Sequence, residues 1–109
     1  MKMRAVACFS LLVAELASGQ SYVPKEGYVP NSVTALRIAE AVLIPIYGEK
    51  QINSEKPFIA KLKDGVWTVQ GTLHCPDGTG GITTHCVGGT AEVRISKADG
   101  RILFMMHYK

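Results

Sequence analysis

Apolar residues recur at two different spacings along this chain of 109 residues, and the change from one spacing to the other divides it into elements. Between Asn31 and Gly48, Leu36, Ala39, Leu43, Ile46 and Tyr47 return at steps of three and four, the spacing of one helical face, while Arg37 and Glu40 project elsewhere. Val33, Ile38, Val42 and Ile44 widen that stripe, which predicts a helix covered on more than one side, as in the concavity of a curved sheet. Asn31 or Ser32 can accept a hydrogen bond from a free amide of the first turn. Pro45 removes a donor and Gly48 can take a left-handed conformation, so the helix is predicted to end or kink between 45 and 48. Residues 49 to 56 are polar except for Ile52 and read as a connection, with at most a short extended piece.

After Pro57 the spacing falls to two. Phe58, Ala60 and Leu62 point one way and Ile59, Lys61 and Lys63 the other, then Asp64-Gly65 suits a tight turn and Val66 to Gln70 resume on the far side. A hairpin over 57 to 73 follows. The run from His74 to Val87 is rich in glycine and reads as a loop. Alternation returns at Gly88 to Ile95, Asp99-Gly100 forms a second turn, and Arg101 to His107 closes the sheet. The expectation is an α+β domain over 31 to 109, one main helix packed on a curved four-stranded antiparallel sheet.

Two segments precede that domain. Residues 1 to 19 combine Lys2 and Arg4, an apolar run from Ala5 to Ala14 and the small residues Ala17, Ser18 and Gly19, the three-part pattern of a secretory signal peptide. Glu15 weakens the pattern, and an uncleaved anchor or a packed helix are its alternatives. Cleavage after Gly19 would leave no stable membrane anchor and a periplasmic or secreted product. Residues 20 to 30 repeat Tyr-Val-Pro and read as an extended lead-in, each proline biasing its predecessor toward extended geometry.

Composition narrows the chemistry. Twelve basic against nine acidic side chains give a formal charge of +3, and no window holds a dense basic run, so a nucleic-acid partner is not expected. Removing residues 1 to 19 deletes Cys8 and leaves Cys75 and Cys86, flanked by His74 and His85. In an oxidising compartment the two thiols join, which would stabilise by about 3 kcal/mol for a loop of about twelve residues. Tetrahedral zinc and unpaired thiols are the alternatives, but each histidine abuts its cysteine instead of lying two to four residues away. No metal or cofactor is expected. Ser32 and Ser96 have turn or cap roles, no Gly-x-Ser-x-Gly turn is present, and Gly78-Thr79-Gly80-Gly81 lacks the helix and lysine of a phosphate cradle. Glu40 reads as a solvated or ion-paired helix residue, and Trp67 and Tyr47 as core. The chain is not expected to be an enzyme.

The segments Val29-Pro30-Asn31 and Ala35 to Lys50, then Lys56-Pro57-Phe58, Leu62, Asp64 to Trp67 and Gly71-Thr72-Leu73, resemble bacterial immunity proteins with a nuclear-transport-factor-2-like fold. Gly88 to Val93, Ile95-Ser96-Lys97, Asp99 to Leu103 and His107 look like that family's closing hairpin. The resemblance implies a cone-like sheet on a helix, and a protein that binds a cognate bacterial toxin and occludes it, as in polymorphic toxin systems. The segment from His74 to Val87 looks longer and richer in cysteine than the family's usual link, and the export segment is extra. Export would place the toxin in the cell envelope. A loop closed between Cys75 and Cys86 would lose less entropy on docking, making His74, Asp77, Thr79, Ile82 and His85 the candidate partner-binding residues. The same broad fold also hosts small-molecule binders and isomerase- or dehydratase-like enzymes, which is the alternative reading.

Overall fold

The computed structural model describes residues 19 to 76, 79 to 83 and 88 to 109. Nearly all of the expected signal peptide therefore lies outside the described residues, as do Asp77, His85 and Cys86.

Helix α1 spans Ser32–Tyr47, and its start is fixed by Asn31. That residue is extended, with φ −143° and ψ 167°, and its Oδ1 accepts from the Thr34 amide and the Thr34 hydroxyl, both at 2.9 Å. One orphan donor of the first turn is thereby satisfied. Gly48 ends the helix at φ 90°, its N–H donating to the Ile44 carbonyl at 2.8 Å. Ala35, Ala39 and Leu43 form the fully buried stripe at steps of four. Two alanines in that stripe let the helix axis approach the sheet closely. Val33 and Ile46, expected to be covered, are 57% and 61% exposed, whereas Leu36, Ile38, Val42, Ile44 and Tyr47 are half-buried against the core, so the cover of α1 is wide but incomplete.

The polar run read as a connection is largely a second helix, α2, Glu49–Ser54. Gly48 turns the chain and its carbonyl accepts from the Ile52 amide at 3.1 Å. Only Ile52 is buried in α2, at 0% exposure, so one apolar residue in six leaves no periodicity to read.

The strands are β1 (Ile59–Lys63), β2 (Val66–Gln70), β3 (Cys75–Pro76), β4 (Ile82–Thr83), β5 (Ala91–Ser96) and β6 (Ile102–His107). The main sheet has the order β1-β2-β5-β6 and is antiparallel throughout, the architecture expected from the sequence. Its first turn has Asp64 at φ 50° and Gly65 at φ 75°, the double positive-φ conformation that matches the twist of a two-residue hairpin. In the second turn the Asp99 carboxylate accepts the Arg101 amide at 3.0 Å. The β5–β6 register shifts by one residue between Arg94, opposite Phe104, and Ile95, opposite Ile102. Leu103 is the extra residue, and a bulge of this kind bends the strand. The loop from His74 to Val87 is not wholly irregular, because β3 and β4 pair as a separate two-stranded ribbon.

Residues facing α1 build the core: Trp67 and Val69 from β2, Ala91, Val93 and Ile95 from β5, with Phe58, Ile52 and Val29 at its margins. Burying each large apolar side chain stabilises by roughly 1.5–3 kcal/mol. Val29 brings the N-terminal segment onto the domain. The Tyr28 and Val29 amides donate to the Ala98 and Lys97 carbonyls at 3.0 Å, and the Trp67 indole N–H donates to the Val29 carbonyl at 2.8 Å.

Candidate functional site

The long link between β2 and β5 was the segment expected to carry partner contacts, and its base is tied firmly to the domain. The Thr72 amide donates to the Glu55 carbonyl at 2.7 Å, the Thr72 hydroxyl to the Pro57 carbonyl at 2.6 Å, and the Thr90 hydroxyl to the Gly71 carbonyl at 3.1 Å. Beyond that base the β3–β4 ribbon pairs Cys75 with Thr83 and Pro76 with Ile82. His74 is exposed at its foot, and its Nε2 hydrogen-bonds the Lys56 carbonyl at 2.7 Å, so the ring nitrogen carries the proton in that contact. Thr79 is exposed at the turn, beside Gly80 at φ 90°. Of the expected site residues, His74, Cys75, Thr79 and Ile82 thus belong to one projecting ribbon, while Asp77, His85 and Cys86 lie outside the described residues.

A buried polar cluster beneath the ribbon was not legible in the sequence. Glu55, just after α2, is 4% exposed. Its Oε1 accepts the Ala91 amide at 2.6 Å, and its Oε2 accepts from Gln51 Nε2 and contacts His107 Nε2, each at 2.8 Å. One carboxylate therefore ties α2 to β5 and β6. Burial raises the Glu55 carboxyl, but the hydrogen bonds from Gln51, the Ala91 amide and His107, with the charge of His107, outweigh it and hold the group below its ordinary value of 4.5. The Tyr47 ring lies 5.2 Å from the His107 ring, centroid to centroid, and tilted by 49°. His107 Nδ1 also lies 2.8 Å from the Tyr108 carbonyl oxygen. An acid and a base meet here, but inside a satisfied network. Neither lines the open grooves of the surface.

Two such grooves flank the link. One, of about 500 Å³, lies between the ends of β2 and β5 and the C-terminal residues, with Glu92, Tyr108 and Gly89 among its walls. Glu92 is 6% exposed and is held by the Tyr108 hydroxyl at 3.3 Å and by Arg94 Nε at 2.7 Å. The other, of about 450 Å³, runs between α1 and the start of β1 and is lined by Val33, Leu36, Arg37, Glu40, Lys56 and Phe58. Glu40 bonds Lys56 across it at 2.8 Å, the ion-paired role its helical position suggested.

The helix, the hairpin and the closing hairpin are also the segments that compare with known proteins. A family described as "NTF2 fold immunity protein" matches residues 34–109, from the first turn of α1 through β6 and the last residue. The chain belongs to this immunity protein family. The described architecture, a helix on an open four-stranded antiparallel sheet, agrees with that fold. The chain is also 33% identical over 81 residues to the "Uncharacterized protein YhhH" of Escherichia coli (strain K12), an alignment covering 74% of this chain and 58% of that protein. The immunity domain thus spans little more than half the length of that relative. No solved structure matches the chain.

Proposed function

We propose that this immunity protein is exported and neutralises one cognate toxin in the cell envelope by binding it and occluding its working surface. The family match over residues 34–109 carries the reading. Two sequence features support the proposed location, the three-part segment over residues 1 to 19 and the even pair Cys75 and Cys86 that remains after its removal. Contact is made in part by the segment from His74 to Cys86, which a Cys75–Cys86 disulfide would stiffen. Its anchored base supports that role, because a loop ordered before docking loses less entropy on binding.

The test is protection in living cells. The mature protein is used to capture its partner, and the recovered toxin is then directed to the periplasm with and without the immunity protein beside it. Survival restored by the exported form, and not by a form lacking residues 1 to 19, is the expected result. Equal killing in all three strains contradicts the proposal.

A further inference from the structure

Strand β1 closes the main sheet on one side, and no strand among the described residues pairs with its outer edge. The turn at Asp64 and Gly65 makes Lys63 and Val66 the first hydrogen-bonded pair, and Lys61/Thr68 and Ile59/Gln70 follow at alternate positions. The backbone N–H and C=O groups of Ala60 and Leu62 therefore point away from β2. Among the described residues no hydrogen bond from another element reaches them.

The surface beside that edge is apolar on one side and cationic on the other. Leu62 lies opposite Trp67 and so shares the helix-facing side of the sheet, yet it is 46% exposed where Trp67 is 7% exposed. Helix α1 covers the start of β1 and leaves its end bare. Alongside runs the groove floored by Val33, Leu36 and Phe58. On the opposite side of the sheet Lys61 and Lys63 are exposed, without an ion-pair partner among the described residues. With Arg37 and Lys56 at the groove, cations outnumber the nearby carboxylates Glu40 and Asp64.

This charge selects the occupant. Two copies meeting edge to edge through β1 would bring their lysines together, and like charges across a ladder are destabilising. A strand bearing carboxylates at the same positions is attracted instead. The opposite edge, β6, is interrupted by the bulge at Leu103, a device that blunts pairing, whereas the β1 ladder is unbroken.

We propose that the β1 edge and the adjoining α1–β1 groove dock an extended segment of a partner protein in which apolar and acidic residues alternate. The segment adds as a fifth strand. Its backbone pairs with Ala60 and Leu62, its apolar side chains enter the groove beside Leu36, Phe58 and Leu62, and its carboxylates face Lys61 and Lys63. His74 is bonded to the Lys56 carbonyl, so the ribbon and this edge are neighbouring parts of one surface. The inference rests on the immunity reading only in taking the toxin as the source of the segment; the edge, groove and charges stand without it.

The test needs no toxin. The isotopically labelled protein is titrated by NMR with a short synthetic peptide alternating valine and glutamate, and separately with one alternating valine and lysine. The glutamate peptide is expected to shift the amides of β1 and of the Val33–Glu40 face of α1, and the lysine peptide to leave them unmoved. Reversing Lys61→Glu and Lys63→Glu together should weaken the glutamate peptide on the order of tenfold. Arg37→Glu, which lies on the helix and outside the ladder, should weaken it severalfold. Shifts centred on β6 or on the ribbon, equal responses to the two peptides, or no response at all would overturn the proposal while leaving the protection assay to judge the immunity reading separately.

Discussion

Glu55 does more for this fold than its place in a polar run suggests. It joins α2 to strands that lie 36 and 52 positions further along the chain, through the Ala91 amide and His107. Replacing it by alanine leaves a buried N–H without its acceptor, and chemical denaturation should show a loss of about 3 kcal/mol. The pH dependence follows from the direction of its shift. A carboxyl held below 4.5 in the folded state stabilises the fold at pH values above its unfolded value, and that contribution drains away as pH falls through the lower folded value. Glu55→Gln should therefore flatten the acid limb of a melting-temperature profile below about pH 4.5; an unchanged limb would contradict the role assigned to this group. Trp67 offers a second measurement. Its indole holds the Val29 carbonyl, so Trp67→Phe should cost about 1 kcal/mol and loosen residues 24 to 29, read as faster amide exchange at Tyr28 and Val29. Trp67 was legible as core because alternation places it. Glu55 was not, because the residues that desolvate and bond it are distant in sequence, and charge patterning reports only local spacing.

Among the elements, those with long buried faces were readable and those with short ones were not. The helix announced itself through Asn31, Gly48 and the recurrence of apolar residues, and each hairpin through an Asp-Gly turn. The phase of the helix was less legible: Ala35, Ala39 and Leu43 face the sheet, while Ile46 points to solvent. A stripe that is apolar nearly all round does not specify which side approaches the sheet, and small alanines win because they permit close contact. Helix α2 buries a single residue, and β3 and β4 are two residues each, too short to leave a pattern. Gly89, at the entry to β5, shows how closely the C-terminal residues pack, since a Cβ there would overlap the backbone and Cβ of Tyr108. Gly89→Ala should displace Tyr108, release Glu92 from its hydroxyl and lower stability by roughly 1–3 kcal/mol, with a melting curve as the readout. For the ribbon, the proposed disulfide predicts that Cys75→Ser lowers the unfolding free energy by up to about 3 kcal/mol relative to the oxidised protein, and by little relative to the reduced one. Equal stability of the oxidised and reduced wild-type protein would remove the staple.

At the scale of the whole molecule the described residues present several open surfaces. The one meeting of carboxylate and imidazole among the described residues lies in the packing of α2, β5 and β6, with Glu55 buried and His107 only a quarter exposed, while no described element covers the β1 edge or the α1–β1 groove. That division suits a family whose members act on another protein, and it explains why the family resemblance could be read from helix and hairpin residues without indicating where the partner binds. Fold residues recur because they pack; contact residues answer to a particular partner. The most direct measurement is a titration of the captured toxin's own activity with purified immunity protein. Occlusion by a tight complex predicts that activity falls linearly and is abolished near molar equivalence, the two chains migrating together. A toxin that binds this protein yet keeps full activity at excess would contradict the account.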